Sequence, residues 1–296
     1  MMKALSKKRE AFETAVNGIF MLCGIVAVGL VLCLSVQLII AGMPAIIKIG
    51  IWDFLFGTVW QPTASVKEPS FGILPFLLTS IYGTAGAVIL GVPVGLMTAV
   101  FLAKVAPSGI AEAIHTAVEL LAGIPSVVYG LVGMIILVPA IQNFFNLASG
   151  ATLLAAIAVL TIMILPSIIS VSEAALRAVP KEYEMASLAL GATDIETFFK
   201  VSVPAAKSGI AAAVILGVGR AVGEAMAIIM VSGNVANMPG LLDSVRFMTT
   251  AVASEMSYAA AGSLHHQALF SVGLVLFLFI MMINVFLNVY IKGKRI

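Results

Sequence analysis

Arg220 and Glu224 are charged residues that lie deep inside a long apolar run of this chain. A charge near the centre of a bilayer costs about 2.5 to 3.5 kcal/mol or more, so such residues usually face a protein interior or a water-filled path. The guanidinium group of arginine matches the oxygens of phosphate and carboxylate groups. Four residues apart on a helix, the two side chains share a face and can pair across one turn. We predict a path for an anionic solute here, with Glu119 as a weaker candidate, although a static structural salt bridge fits the same pattern.

A second polar feature, residues 180–204, separates two long apolar runs, and we call it the polar segment. Pro180 suits the first position of a helix and Gly191 suits the residue just past a helix end, so a short helix is predicted between them. Thr193 and Glu196 have the spacing of a capping box, which predicts the start of a second helix. Lys200 lies near the end of that helix, and Pro204 is expected to close the segment.

Small residues on the first predicted helix of the polar segment would let another protein approach closely. Ala186 and Ser187 offer close contact, and Tyr183, Met185 and Leu190 supply apolar surface nearby. A groove in a partner protein could accept such a helix and would then move it as a rigid body. A loop that only links two spans is the alternative.

The composition indicates which elements position these residues. Of the 296 residues, 61% are hydrophobic and 10% are charged, and the mean hydropathy is +1.14, whereas about a quarter of the residues of a soluble domain are charged. About 20 apolar residues cross a bilayer as a helix. The chain is therefore predicted to be an all-α polytopic membrane protein with six transmembrane helices, at residues 16–41, 72–104, 114–141, 151–172, 209–232 and 267–291.

Lysine and arginine indicate the orientation, because they are retained on the cytoplasmic side of short loops. With both termini cytoplasmic, twelve of the 16 fall inside and three fall outside, while Arg220 lies within a span. We predict a cytoplasmic N-terminal segment, a transmembrane domain, a cytoplasmic loop that contains the polar segment, and a cytoplasmic tail, at residues 1–15, 16–291, 174–208 and 292–296 respectively.

The segments predicted to lie outside contain features of a membrane interface. Trp52 and Trp60 are typical of an aromatic belt, and residues 241–258 are predicted to form an interfacial helix. Three histidines at span edges lack the neighbouring ligands of a metal site and are interpreted as interfacial: His115, His265 and His266.

Sequence motifs of catalysis are absent. There is no nucleophile elbow, zinc-protease helix or phosphate-binding loop; Lys207 and Ser208 match the last two residues of such a loop, but Ala206 replaces the required glycine. The chain is therefore predicted not to be an enzyme by itself and to hold no catalytic residue, metal or cofactor. Nucleic acid is not an expected partner.

Two predicted spans carry small residues at steps of four, a pattern that lets another helix backbone approach closely. Tight static packing and a moving interface both fit this pattern. The two ridges are Gly83, Ala87, Gly91 and Gly95 in the second span, and Gly209, Ala213, Gly217 and Ala221 in the fifth.

Residues 191–204 carry the first specific resemblance to a known family. Gly191, nine intervening residues and Val-Ser-Val-Pro at 201–204 resemble the EAA loop by which permease subunits of ABC importers engage their ATPase. The Glu-Ala-Ala position of the family is occupied by Met-Ala-Ser at 185–187, with a glutamate one residue earlier. The resemblance implies a coupling site for a separate ATPase, formed by Glu184, Ala186, Ser187, Gly191 and Pro204.

Nearly the whole chain is similar to one branch of that family, the PstC-type permease of phosphate importers. The similar motifs are Trp-Gln-Pro at 60–62, Phe-Gly-Ile-Leu-Pro at 71–75, Gly-Ile-Pro-Ser-Val-Val-Tyr-Gly at 123–130 and Gly-Arg-Ala-Val-Gly-Glu at 219–224. The last motif implies that Arg220 and Glu224 belong to the phosphate pathway.

The same resemblance implies a type I ABC importer permease fold in a bacterial or archaeal inner membrane. The implied partners are a PstA-type permease that completes a heterodimer, a PstB-type ATPase dimer that binds ATP and Mg, and an extracytoplasmic phosphate-binding protein. Three alternatives remain open at this point. A permease for another oxyanion, such as molybdate or sulfate, would keep the polar segment. An ATP-independent transporter or channel would need no ATPase, and a membrane scaffold would carry no solute.

Overall fold

A computed structural model describes residues 2–62 and 69–292, without the side chains of residues 2–11, 15, 287, 288 and 290–292. Of the predicted terminal segments, residue 1 and residues 293–296 therefore lie outside the described residues, as does the loop lysine at 67. Helices dominate the described chain, as predicted, with one short antiparallel sheet in which Trp60 pairs with Phe71.

The helices are α1 Met2–Ile49, α2 Ile51–Phe56, α3 Leu74–Val100, α4 Ser108–Gly123, α5 Ser126–Val132, α6 Val138–Phe145, α7 Leu153–Arg177, α8 Lys181–Ala189, α9 Asp194–Thr197, α10 Val203–Ala205, α11 Lys207–Gly223, α12 Met226–Val231, α13 Met248–Glu255 and α14 Leu264–Lys292. The strands are β1 Trp60–Gln61 and β2 Ser70–Phe71. Three π-helical turns follow α3, α5 and α9, at Phe101–Val105, Gly133–Leu137 and Phe198–Ser202.

Membrane-spanning length and hydropathy are found in five helical stretches of the described residues. A sixth span is present if Asp194–Ala205 and Lys207–Gly223, which meet at 72°, count as one bent span. The five are Phe12–Ile49, Leu74–Val105, Ser126–Phe145, Leu153–Arg177 and Leu264–Phe286.

Two of the six predicted spans are interrupted. The prediction of a continuous helix over 114–141 is wrong, because Ile124 leaves the helical conformation with φ −70° and ψ 127°. The following Pro125 explains this break, since a proline disfavours helical geometry in the residue before it. The prediction of a helix over 209–232 is also wrong, because α11 ends at Gly223 and Glu224 is extended, with φ −72° and ψ 131°.

Helix α7 is the centre of the membrane domain. Both predicted small-residue ridges pack on it: a Cβ atom at Gly91 would lie 2.8 Å from Ile164, and one at Gly95 would lie 2.7 Å from Ile168. A Cβ atom at Gly217 of α11 would lie 3.2 Å from the same Ile168. The glycines therefore permit α3 and α11 to approach α7 closely, and the predicted packing role of the ridges is confirmed.

An apolar cluster closes the end of the bundle opposite the polar segment. It joins α2, the small sheet, α13 and the start of α14 around Phe54, Phe76 and Leu269. The interpretation of Trp60 as part of an aromatic belt is wrong, because only 6% of this residue is exposed, whereas 72% of Trp52 is exposed. The interfacial helix predicted over 241–258 is shorter in the structure, where α13 begins at Met248.

Candidate functional site

The polar segment folds largely as its sequence predicts. Helix α8 begins at Lys181, so Pro180 directly precedes the helix instead of occupying its first turn. The chain then turns at Gly191, whose φ of +87° is the left-handed conformation that favours glycine. The predicted capping box is confirmed, because the Thr193 hydroxyl accepts from the Glu196 amide at 3.3 Å and Glu196 Oε2 accepts from the Thr193 amide at 3.2 Å.

Pro204 closes the polar segment as predicted, because the helical stretch ends one residue later, at Ala205. The chain stays helical from Asp194 to Ala205 through a π-helical turn and bends by 72° before Lys207. Pro204 lies in the turn just before the bend, where its missing N–H removes a backbone hydrogen bond and permits a change of direction.

Glu184 is turned toward its own chain. Its Oε1 atom accepts hydrogen bonds from Lys104 Nζ and from Ser202 Oγ, the latter at 2.8 Å. The Lys104 and Glu184 side chains are only 11% and 18% exposed. The carboxylate that the family resemblance places among the ATPase contacts is therefore engaged within this chain.

These contacts determine the protonation of Glu184. Partial burial raises the pKa of the carboxyl group, but hydrogen bonds from Lys104 and Ser202 and the charges of Lys104 and Lys181 outweigh it, so the pKa lies below the ordinary value of 4.5. A folded-state pKa that is depressed stabilises the fold at pH values above the unfolded-state pKa, and this contribution is lost as pH falls through the folded-state pKa. The stabilising contribution of the ionised Glu184 carboxylate is thus fully present at neutral pH.

The other residues of the predicted coupling site remain near the surface. Ala186, Gly191 and Pro204 are exposed, and Ser187 is half-buried with its Oγ atom 2.9 Å from Thr197 Oγ1. This hydrogen bond joins α8 to α9 and holds the two short helices together.

An exposed apolar surface covers the polar segment. The predicted contacts Tyr183, Met185 and Leu190 are all exposed, Leu190 by 90%. Three further members, which sequence reasoning missed, are Leu188, Ile195 and Phe199. Large exposed apolar residues outside the lipid-facing spans mark a protein interaction site.

Arg220 and Glu224 do not form the predicted ion pair. Because the helix ends at Gly223, Glu224 is not on the helical face of Arg220, and its Oε1 atom instead accepts from the Ala227 amide at 2.9 Å. The carboxylate thereby satisfies one of the free amides at the start of α12. In the part of the chain that the structure describes, Arg220 makes no salt bridge.

The second helix break lies one turn beyond Arg220. At the first break, the Tyr129 hydroxyl of α5 donates to the Leu121 carbonyl of α4 at 2.7 Å. At the second break, Thr249 Oγ1 donates to the Glu224 carbonyl at 2.7 Å. Sequence reasoning missed Tyr129 and Thr249, although Tyr129 belongs to the 123–130 motif.

Glu119 is not part of this arrangement in the structure. Its carboxylate lies 3.2 Å from His115 on the same helix, α4. His115 also lies 3.9 Å from the buried Glu173, whose Oε1 atom accepts from Arg177 Nε at 2.9 Å. His115 therefore belongs to a charged cluster between α4 and α7, which its interpretation as an interfacial histidine did not include.

A buried carboxylate organises the opposite end of the bundle. Glu255 is 6% exposed and accepts from Trp60 Nε1 at 2.9 Å and from Arg246 Nη1. His265 Nε2 lies 2.8 Å from Oε2, the oxygen that also accepts from Trp60, whereas Arg246 donates to Oε1. The guanidinium group of Arg246 also donates to the Asn234 carbonyl, at 2.9 and 2.7 Å.

Comparison with known proteins assigns the chain to a family. Residues 91–295 match the family described as "Binding-protein-dependent transport system inner membrane component". The chain belongs to this family. It is therefore a multi-pass membrane permease subunit of an ABC importer and is not itself a catalyst, and membership implies a separate ATPase and a substrate-binding protein as partners.

Individual relatives cover nearly the whole chain. The "Probable ABC transporter permease protein YqgH" of Bacillus subtilis is 37% identical over 98% of this chain and 94% of its own length. The "Phosphate transport system permease protein PstC" of Haemophilus influenzae is 33% identical over 98% of this chain and 100% of its own length.

Solved structures confirm the predicted type I importer permease fold. One is the inward-facing MetNI methionine ABC transporter, with a TM-score of 0.59, 20% identity, and coverage of 75% of this chain and 95% of that chain. Another is a bacterial ABC transporter involved in alginate import, with a TM-score of 0.59, 13% identity, and coverage of 78% and 86%. At these identities the likeness concerns the fold.

Proposed function

We propose that this permease forms half of the translocation path of an ATP-driven phosphate importer. The observation that carries the proposal is Arg220, a guanidinium group that makes no salt bridge in the described residues and lies one helical turn before the break at Glu224. The relatives named PstC, 33% identical over 98% of the chain in one case, support phosphate as the solute.

Arg220 is suited to transient recognition of a tetrahedral oxyanion. Its fork of N–H donors can hold two oxygens at once, and Glu224, held by the Ala227 amide, does not neutralise it. Glu224 still places a negative charge just past the end of α11, four residues after Arg220. This charge disfavours tight retention of an anion. The pair would therefore admit phosphate and let it pass, with no bond made or broken.

The polar segment is the proposed contact with a PstB-type ATPase dimer, which would bind ATP and Mg. Its exposed residues Ala186, Gly191 and Pro204, together with Ser187, would lie in a groove of the ATPase. In this arrangement both termini are cytoplasmic, a PstA-type permease completes the path in the inner membrane, and a phosphate-binding protein docks at the opposite end. Closure of the ATPase dimer would move the polar segment and reorient the spans.

Uptake of labelled phosphate by the complete importer, reconstituted in vesicles, tests the proposal. Arg220→Glu should abolish uptake while the complex still assembles, whereas Arg220→Lys, which keeps the charge but loses the fork, should retain part of it. Normal phosphate uptake by Arg220→Glu would overturn the role of this residue. Preferential uptake of molybdate or sulfate would assign another oxyanion, and uptake without ATP would exclude the ATP-driven class.

A further inference from the structure

Glu184 is held by residues from two separate π-helical turns. Lys104 belongs to the turn Phe101–Val105 at the end of α3, and Ser202 belongs to the turn Phe198–Ser202 that follows α9. Turns of this kind are rare and occur mostly at functional sites, because they redirect a side chain that a regular helix would point elsewhere. Both turns therefore direct a donor toward one carboxylate oxygen of α8.

The Lys104–Glu184 pair differs from an ordinary surface ion pair in the same segment. Its side chains are 11% and 18% exposed, whereas those of Lys200 and Glu196 are 74% and 46% exposed. Exposed pairs contribute little because water and salt screen them, and the effect of a partly buried pair is stronger. The 80 residues between Lys104 and Glu184 also make this a tertiary contact, which connects α8 to the membrane domain.

The end of α3 is joined to α7 as well. Arg177 Nη2, at the end of α7, donates to the Leu102 carbonyl at 3.1 Å, and Leu102 is two residues before Lys104. Farther along, the glycines of α3 pack against α7 without room for a side chain. A displacement applied at Lys104 would therefore reach α3 and α7 together.

We propose that the contact between Glu184 and Lys104 is a clasp that transmits movement of α8 to α3, and that Glu184 is a positioning residue instead of a contact with the ATPase. The inference rests on the proposed function, in which an ATPase moves the polar segment. Ser202 contributes by fixing the carboxylate from the second short helix, so that α8 and the helix after it move as one body.

Charge exchange in the complete reconstituted importer tests the clasp. Lys104→Glu and Glu184→Lys should each reduce the ATP-driven transport per ATP hydrolysed by about tenfold, a size typical of coupled contacts, while the ATPase subunit still co-purifies. The double variant should restore coupling to within about twofold. If an exchanged variant fails to assemble, Glu184→Gln, which keeps the shape of the side chain, provides the same comparison.

Matched controls separate the clasp from its alternatives. Loss of the exposed pair through Lys200→Gln, which leaves the capping carboxylate of Glu196 in place, should leave coupling within about twofold of the native value. A direct ATPase contact predicts a different pattern. Glu184→Lys would then lose the co-purifying ATPase, Lys104→Glu would have no effect, and the double variant would not be rescued. This pattern would overturn the clasp. A loss of thermal stability with unchanged coupling would also overturn it, because it would indicate a purely structural role.

A distance measurement separates failure of the clasp from failure of the proposed function. Spin labels on Val105→Cys and Glu182→Cys, in a background of Cys23→Ala and Cys33→Ala, report the separation of the end of α3 from α8 at exposed positions. With the native Lys104–Glu184 pair, ATP binding should leave the distribution of this distance narrow and its mean unchanged. In Glu184→Lys, ATP binding should broaden the distribution. This result does not depend on phosphate, so a wrong solute leaves it intact, whereas an equally narrow distance in Glu184→Lys would overturn the clasp.

Discussion

Glu255 brings together side chains that are far apart in the sequence. Trp60, which donates to its carboxylate, is 195 residues away, and Arg246 and His265 contact the same group from the loop before α13 and the start of α14. Hydropathy suggested only interfacial positions for Trp60 and His265. Residues that are close in the sequence cannot indicate such a contact, because its partners come together only in the folded chain.

Removal of this carboxylate should destabilise the protein markedly. Glu255→Ala leaves Arg246 partly buried without its acidic partner, which typically lowers the free energy of unfolding by about 3–5 kcal/mol. Thermal or denaturant unfolding in detergent measures the effect. Glu182→Ala, at an exposed position of α8, is the control and should change it by less than about 0.5 kcal/mol. Equal stability of the two variants would contradict the role of Glu255.

At the scale of helices, local signals were predictable and tertiary ones were not. Gly191, Thr193 and Glu196 determine helix ends through their own backbone and neighbours, so the sequence was sufficient to place them. The break at Ile124 was also signalled by the proline that follows. The end of α11 at Gly223 was not, because Glu224 could equally have continued a helix and paired with Arg220.

Gly191 provides a test of the turn between α8 and α9. Its φ is +87°, and a Cβ atom at this position would meet nothing within 4 Å, so any effect of substitution comes from the backbone. Gly191→Val should cost about 1–2 kcal/mol and reduce ATPase co-purification and transport together. Gly191→Asn should be milder, since asparagine tolerates this conformation. Identical behaviour of the two variants would indicate that the turn does not matter for coupling.

At the scale of the molecule, the number of spans and the existence of tight helix contacts followed from composition and spacing. The identity of the contacts did not. Two separate ridges of small residues could have faced lipid, a partner chain or each other, and the structure shows that both face α7, with Ile168 shared between them. Side-chain volumes from three helices decide this arrangement together, and no single stretch of sequence contains them.

Overpacking at this shared point should destabilise the whole membrane domain. Gly95→Val places methyl groups where a Cβ atom alone would lie 2.7 Å from the fully buried Ile168, which should cost about 1–3 kcal/mol. The midpoint of thermal unfolding in detergent measures the loss. Gly24→Val, on α1 where a Cβ atom meets nothing within 4 Å, should change the midpoint little, and an equal shift in both variants would contradict close packing on α7.

The burial of Trp60 also gives the protein an optical probe of its own. The chain has two tryptophans, and both lie at the end of the bundle opposite the polar segment, so intrinsic fluorescence reports on that end alone. Trp52→Phe would leave a single indole, whose N–H is bound to Glu255 at 2.9 Å. Its emission would then follow the opening of this end in real time, in an unlabelled protein, while an extrinsic dye on the polar segment records the other end.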